Sequence, residues 1–217
     1  NAMVQLSPVT QFRSGAGYQY EDTVIYGFSH TNKGHWNLLH LPVLPVTGNV
    51  SSGDYASTYS HSNESARPGY YQVFLERYGV NAELTSTLRC AYHKYTFRPD
   101  DDKKVLVDIT RTNNGVRDWS IQKVDDYTFS GNQDAEGNIR FYAVSNYKIE
   151  DIRQLKDGEH EVSVVSFADS KGSKPLELKI GFSFVSIDNA KMNLEQEMKD
   201  KSFVQVRKEA DKTWENL

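Results

Sequence analysis

The sequence predicts a mainly β protein, an antiparallel β-sandwich that is followed by helices at its C-terminal end. From about residue 3 to 185, apolar and polar residues alternate, most clearly over 176–184, where every even position is apolar. This alternation is typical of a strand with one buried face. Turn sequences such as Asn113-Asn114-Gly115 and Asp157-Gly158 recur about every ten residues, which is the spacing of short strands in sandwiches. After residue 185 the period changes to that of a helix.

The strands are predicted, in chain order, at the segments that share this alternation. They are 23–30, 69–77, 80–88, 89–97, 104–110, 126–132, 139–145, 161–168 and 176–184. The segment 47–66 is rich in Ser, Gly and Asn and predicts a long loop.

Two helices are predicted after the last strand. Ser186 or Asp188 can cap the first, whose apolar face includes Ala190, Leu194 and Met198. The second carries one apolar stripe, formed by Phe203, Val206, Ala210, Trp214 and Leu217. This stripe either packs on the chain's own sheet or, in a piece cut from a longer protein, lacks its partner. We expect the second case, with self-association through 203–217 that buries Trp214 between two chains.

Composition excludes several classes of protein. The chain has 217 residues with 25 Lys and Arg against 29 Asp and Glu, a net charge of −4 that argues against a nucleic-acid binder. No apolar run approaches the roughly 18 residues of a membrane span. The single cysteine, Cys90, excludes an internal disulfide framework, and its strand-like context predicts a core residue. Asn1 and Ala2 precede Met3 as the remnant of a cleaved tag would.

Sequence motifs for catalysis or cofactor binding are weak. Gly15-Ala16-Gly17 begins a dinucleotide-binding fingerprint, but Tyr20 occupies the place of the third glycine, so we interpret it as a turn. The run 100–102 holds three aspartates before two lysines and fits a solvated hairpin better than a calcium loop. Glycoside hydrolysis requires a pair of carboxylates, and no pattern among the 29 acids selects one.

The segment 25–40 is the exception, because it holds three of the six histidines and one of the three tryptophans. An aromatic ring beside amides and imidazoles in a Gly-containing loop suits a sugar, whose ring stacks while its hydroxyls are hydrogen-bonded. The predicted substrate-binding residues are Trp36, His35, His30 and Asn37. Two alternatives stay open: His30 and His40 can be core residues with Trp36 plugging a loop, or His30, His35 and His40 can ligate a metal. The spacing of five disfavours a metal, since it alternates strand faces.

Six segments form a recognisable pattern in chain order: 3–8 (Met-Val-Gln-Leu-Ser-Pro), 17–20 (Gly-Tyr-Gln-Tyr), 25–31 (Ile-Tyr-Gly-Phe-Ser-His-Thr), 65–71 (Ser-Ala-Arg-Pro-Gly-Tyr-Tyr), 78–85 (Tyr-Gly-Val-Asn-Ala-Glu-Leu-Thr) and 89–97 (Arg-Cys-Ala-Tyr-His-Lys-Tyr-Thr-Phe). Together they resemble the N-terminal domain of the glycoside hydrolase family 92 α-mannosidases. The tail fits as well, because 190–195 and 214–217 resemble the family's linker helices.

The resemblance implies one part of a two-domain enzyme. Residues 3–185 would form a β-sandwich of the supersandwich type, and 186–217 a helical linker towards an (α/α)6 catalytic barrel. The family is calcium-dependent and cleaves α-mannosides with inversion. The resemblance puts the catalytic carboxylates and most Ca2+ ligands in the barrel, so no catalytic or metal-binding residue is expected in this chain. The implied partners are the chain's own C-terminal catalytic domain and a mannose-containing glycan, in a secreted, periplasmic or cell-surface bacterial enzyme.

Two departures from the family pattern concern the sugar site. The Gly-rich stretch that usually ends in Pro-Phe-Gly before residue 3 is replaced by Asn1-Ala2. After His30-Thr31, the segment 32–37 replaces the common Ser-Gly-Thr-Gly run, and Trp36 resembles the tryptophan of α-1,2-cleaving members. The alternatives are a free-standing carbohydrate-binding β-sandwich and a module that only supports a partner domain.

Overall fold

The computed structural model describes residues 2–33 and 36–216, and it confirms a mainly β fold with antiparallel sheets and two C-terminal helices. One sheet has six strands, in the spatial order β1 (Ser7–Val9), β3 (Gly27–Ser29), β6 (Val43–Val46), β12 (Lys104–Val107), β17 (His160–Phe167) and β16 (Ile149–Asp157). The other has eight, in the order β13 (Asp118–Asp125), β14 (Thr128–Asp134), β15 (Ile139–Ser145), β18 (Leu176–Ser183), β11 (Cys90–Thr96), β10 (Val80–Ser86), β9 (Tyr70–Leu75) and β8 (Glu64–Arg67). Two short ladders pair β2 (Val24–Ile25) with β7 (Ser57–Thr58), and β4 (Asn32–Lys33) with β5 (Trp36–Asn37).

One apolar core joins the two large sheets. Phe28 of β3 shows how, because its ring centroid lies 6.2 Å from that of Tyr71 on β9 and 6.4 Å from that of Tyr95 on β11. Phe28 and Tyr95 have no accessible surface. Burying a large side chain in this way contributes about 1.5–3 kcal/mol, so such contacts hold the layers together.

The nine predicted strand segments all contain strands, with ends that shift by a few residues. The segment 23–30 is interrupted at Tyr26 and forms both β2 and β3. Its second part joins the six-stranded sheet, while its first part pairs only with β7. The alternation of buried and exposed residues in β15 and β18 follows the pattern on which the prediction rested.

Two long strands were not predicted, and both lie at an edge of a large sheet. β16 carries its apolar residues at Ile149, Ile152 and Leu155, a spacing of three that hides the strand period. A register shift between Ile149 and Asp151 accounts for the first of these intervals, because a bulge inserts an extra residue. β13 is mostly exposed and so lacks a strong apolar pattern.

The prediction of one long loop over 47–66 is wrong in its second half. That half contains β7, a short 3-10 turn at His61–Asn63 and the start of β8 at Glu64. The polar composition that indicated a loop belongs here to an edge strand and its turn. The first half is irregular, yet Tyr55 within it is buried and donates a hydrogen bond to Asp108.

The first helix, α1 (Ile187–Met198), packs across β18. Ser186 caps it, since its Oγ accepts a hydrogen bond of 3.0 Å from the Asn189 amide. At the other end the Lys179 ammonium donates to the carbonyls of Met198 and Lys201, at 3.1 and 2.7 Å. Gly181 permits the close approach, because a Cβ there would lie 2.2 Å from the Ala190 carbonyl oxygen.

The second helix, α2 (Phe203–Glu215), begins with a capping box formed by Ser202 and Gln205. Its apolar stripe divides into two parts. Phe203 and Val206 are buried against the outer face of the eight-stranded sheet, beside Tyr70 and Tyr92. The expectation that this part of the stripe lacks a partner is therefore wrong, because the sheet itself supplies one.

The far end of α2 behaves differently. Trp214 is 56% exposed, and Leu217 lies outside the described residues. Self-association through 203–217 stays a prediction, now restricted to the Trp214 end. Among the described residues, no helix is long and apolar enough to cross a membrane.

The packing of α1 leads to a stability prediction. Replacing Gly181 by Ala should lower the free energy of unfolding by about 1–3 kcal/mol, because the new methyl group would displace the helix from β18. Urea unfolding measures it. The matched control is Gly53→Ala, where the nearest atom is the movable Asp157 carboxylate and a change within about 0.5 kcal/mol is expected. Equal stability of Gly181→Ala and the parent would contradict the close approach.

Candidate functional site

The candidate site is the end of the sandwich that carries Trp36. In the β4–β5 ladder Asn32 is opposite Asn37, and Lys33 is opposite Trp36. The partly exposed Trp36 ring rests on Gly15, since a Cβ at position 15 would lie 3.2 Å from two of its atoms. The backbone amide of Asn37 donates a hydrogen bond of 2.7 Å to the Gly15 carbonyl. Trp36 is therefore in close contact with the backbone of a second loop.

Asn113 fastens these two loops together. Its Nδ2 donates to the Ser14 carbonyl at 2.8 Å and to the Asn37 carbonyl at 2.5 Å. Its own backbone amide donates to Leu38. A single amide side chain thus connects the loop around Gly15, the Trp36 hairpin and the segment after β12.

Glu136 adds a fourth segment, the turn between β14 and β15. Its carboxylate accepts a hydrogen bond from the Lys33 ammonium at 2.8 Å and another from the Asn114 amide. Gly137 follows with a φ of +71°, a conformation that favours glycine and turns the chain sharply. The hairpin is therefore held at two points, through the Asn37 carbonyl by Asn113 and through the Lys33 side chain by Glu136.

Asn37 is fully buried, and its side chain links the hairpin to the residues on either side of it. Its Oδ1 accepts hydrogen bonds from the Ser29 hydroxyl at 3.2 Å and the Leu39 amide at 2.9 Å. Gly17 leaves room for it, because a Cβ there would lie 2.7 Å from Asn37 Nδ2. All of these contacts are internal to the domain.

His30 is also fully buried, and it belongs to a polar chain that runs through the core. Its Nε2 lies 2.9 Å from His93 Nε2, and His93 Nδ1 lies 2.7 Å from the Tyr95 hydroxyl. His40, buried as well, lies with its Nδ1 2.6 Å from the Thr31 hydroxyl. This corresponds to the alternative in which His30 and His40 are core residues.

The predicted sugar-binding residues thus occupy different depths. His30 and Asn37 have no accessible surface, so a direct contact with a sugar is not compatible with their positions. They support the hairpin from beneath. Trp36 is the member that reaches the surface, and its contact with a sugar stays a prediction. His35 lies outside the described residues.

Several buried polar atoms at this end of the described structure have no hydrogen-bond partner. Seven buried polar side-chain atoms lack a partner in the described part of the chain, and four of them lie here: Asn32 Oδ1, His40 Nε2, Thr112 Oγ1 and Asn113 Oδ1. Buried polar atoms in proteins nearly always have a partner, including ordered water.

Burial keeps the core imidazoles neutral. Desolvation lowers the pKa of His30 to about 3, although hydrogen bonds to the His40 and Leu41 backbone oppose the shift. Burial lowers the pKa of His40 to about 4. The pKa of His93 lies well below its ordinary value, first because of burial and then because of His30. At neutral pH all three rings are uncharged.

Metal and thiol chemistry find little support in the geometry. Over residues 2–33 and 36–216, no group of three His, Cys, Asp or Glu side chains converges in a way that would hold a metal ion. Cys90 is fully buried under the two helices, where burial raises the pKa of its thiol. It is a core residue, as predicted.

The residues that build this site were only partly foreseen. Asn113 and Glu136 stood in the sequence as members of the turn signals 113–115 and 136–138. A turn signal locates a loop along the chain but says nothing about which loops meet. Their convergence on the Trp36 hairpin depends on the order of strands in both sheets.

A comparison with sequence families decides the identity. The profile described as the glycosyl hydrolase family 92 N-terminal domain matches residues 1–183, most of the chain. This chain belongs to glycosyl hydrolase family 92. A comparison with curated proteins found no match.

Solved GH92 structures share the fold. The GH92 α-mannosidase BT3965 from Bacteroides thetaiotaomicron is 26% identical with a TM-score of 0.88, over 99% of this chain and 34% of that one. The same mannosidase has also been solved with mannoimidazole, over 99% of this chain and 33% of that one, with the same TM-score of 0.88 and 26% identity. The GH92 inverting mannosidase BT2199, from Bacteroides thetaiotaomicron VPI-5482, is 21% identical with a TM-score of 0.85, over 99% and 32%. The chain thus spans about a third of these mannosidases.

The neutral core histidines predict that acid weakens the fold. Below pH 6.5 the unfolded chain binds protons at all three histidines. In the folded chain His40 stays neutral down to about pH 4 and His30 down to about pH 3, and burial likewise lowers the pKa of His93. The free energy of unfolding should therefore fall between pH 7 and 5, by up to about 1.4 kcal/mol per pH unit for each histidine. Urea unfolding across this range measures it, and His40→Gln should reduce the slope. A free energy that stays constant would contradict the buried, neutral state.

The Asn113 contacts predict a second stability effect. Asn113→Ala should lower the free energy of unfolding by about 1–3 kcal/mol and speed exchange of the Asn37 backbone amide, because two partly buried hydrogen bonds to carbonyls are lost. Urea unfolding and hydrogen exchange measure the two effects. Asn114→Ala is the control, since it removes only an exposed contact with Glu136. Similar exchange at Asn37 in both variants would mean that Asn113 does not fix the hairpin.

Proposed function

We propose that this chain is the substrate-shaping N-terminal domain of a calcium-dependent, inverting exo-α-mannosidase that removes α-1,2-linked mannose from glycans. The observation that carries the proposal is the Trp36 hairpin. It presents one partly exposed aromatic ring on a frame that Asn113 and Glu136 hold in place. A fixed aromatic face beside polar groups suits a sugar ring, since rigid placement reduces the entropy that binding costs.

The catalytic groups belong, in this proposal, to the remainder of a longer enzyme. Inverting hydrolysis uses two carboxylates about 6.5–9.5 Å apart, one to protonate the leaving group and one to activate water. Glu136 is the carboxylate that joins the candidate site, and Lys33 and Asn114 already occupy it. The chain also spans about a third of the related mannosidases, which supports a second domain as its partner.

The calcium ligands, like the catalytic carboxylates, are assigned to the remainder of the longer enzyme. The described residues do not fit such an ion, because no group of three potential ligands converges among them. No step at calcium is derived from this chain, and the proposal assigns the Ca2+ ligands to the catalytic domain. We also propose that the enzyme works outside the cytoplasm, as a secreted, periplasmic or cell-surface bacterial protein, where glycans of this kind are accessible.

Loss of the Trp36 ring tests the proposal directly. In the longer enzyme, Trp36→Ala should lower kcat/KM for α-1,2-mannobiose about five- to thirtyfold, the equivalent of one lost stacking contact of about 1–2 kcal/mol. Mannose release gives the rates. Tyr127→Ala is the control, because it removes another exposed aromatic ring, in the turn between β13 and β14. Equal kcat/KM for Trp36→Ala and the parent would remove the hairpin from the site.

The division of labour between two domains has its own test. The 217-residue chain alone should release no mannose from α-1,2-mannobiose in the presence of Ca2+, because both carboxylates are assigned elsewhere. Adding the separately produced remainder of the enzyme should restore hydrolysis. Calcium-dependent release by the chain alone would overturn the assignment.

A further inference from the structure

A groove of about 550 Å³ lies on the outer face of the eight-stranded sheet, away from the Trp36 hairpin. It crosses the three strands β8, β9 and β10. Tyr71 and Val73 of β9 point into the core, so Gln72 and Phe74 point to the opposite, outer face. In the ladders, Phe74 is opposite Asn81 and Gln72 is opposite Ser65.

The groove combines one aromatic ring with a rim of amides and hydroxyls. Phe74 is half-buried, and Asn81 lies beside it on the neighbouring strand. Gln72 donates a hydrogen bond of 3.1 Å to Asn81 Oδ1, which orients the Asn81 amide. The exposed side chains of Asn63 and Ser65 line the groove as well. Amides and hydroxyls both donate and accept hydrogen bonds, as sugar hydroxyls require.

The charge of the groove narrows the class of ligand. Its lining residues include no Lys or Arg, which argues against a phosphate or carboxylate ligand. Its one acidic residue, Glu64, is already engaged. The Glu64 carboxylate accepts hydrogen bonds from Tyr18 and Tyr71 and lies 2.5 Å from His61 Nδ1. A single ring is too little apolar surface for a lipid, so a neutral, polyhydroxylated ligand fits best.

We propose that this groove binds a neutral oligosaccharide, with Phe74 as the stacking ring and with Asn81 and Ser65 as hydrogen-bonding partners. Gln72 positions Asn81, because it is itself held by the Tyr70 hydroxyl. The site is distinct from the Trp36 hairpin, since none of its lining residues belongs to that hairpin or to the segments that hold it. The proposal does not require the Trp36 site to bind sugar. It would give the domain a second hold on a branched or extended glycan.

NMR titration of the 217-residue chain tests the proposal. The probes are a linear α-linked manno-oligosaccharide and a cello-oligosaccharide, both neutral, with inorganic phosphate as the charged control. We expect at least one sugar to shift the Asn81 and Gln72 side-chain amides, and phosphate to leave them unchanged. Phe74→Ala should raise Kd about tenfold or more, whereas Phe74→Tyr should retain binding.

The controls separate the groove from the rest of the molecule. Phe184→Ala removes an exposed phenylalanine that does not line the groove and should leave Kd unchanged. Asn81→Ala is a second groove variant in case Phe74→Ala does not fold. Shifts that vanish in Trp36→Ala instead would overturn the groove while supporting the hairpin. The proposal is also overturned if neither sugar shifts the groove at 20 mM, a concentration about twentyfold above a millimolar Kd.

Discussion

The polar chain from Tyr95 through His93 to His30 is the constraint on which the rest of the structure depends. It lies in the core and joins the eight-stranded sheet to the segment that follows β3. Such a chain is stable in the interior only while its imidazoles are uncharged and hydrogen-bonded to each other. The Trp36 hairpin begins two residues after His30, so the position of the candidate site depends on a neutral core beneath it.

The two C-terminal helices bury part of the outer face of the eight-stranded sheet. Each is capped by a serine at its start, and one lysine, Lys179, reaches the carbonyls at the junction between them. Glu197 adds a link to the β10–β11 turn, because it accepts hydrogen bonds from Thr87 and Arg89. The two helices thus cover part of the outer face of the eight-stranded sheet. The part of that face that holds the Phe74 groove stays open.

Much of the fold could be predicted because central strands carry a strong period. β18 is buried on one face and alternates clearly, whereas the bulged β16 has apolar residues three apart and resembles no strand. The candidate site was harder to predict than the fold. Composition alone located the Trp36 segment, but the burial of His30 and Asn37 follows from packing against His93, Ser29 and Gly17. The roles of Asn113 and Glu136 depend on strand order, which local sequence does not encode.

The way the hairpin is held has a consequence for how such a site can diversify. Asn113 binds the carbonyls of Ser14 and Asn37, and the Trp36 ring rests on a residue without a side chain, Gly15. These contacts are made to the main chain, so they do not depend on which side chains the loops carry on their exposed side. Exposed side chains of the hairpin that take no part in this frame, unlike Lys33 on Glu136, can therefore be exchanged while the frame persists. A scaffold of this kind fixes the backbone shape of a loop independently of the chemistry that the loop displays.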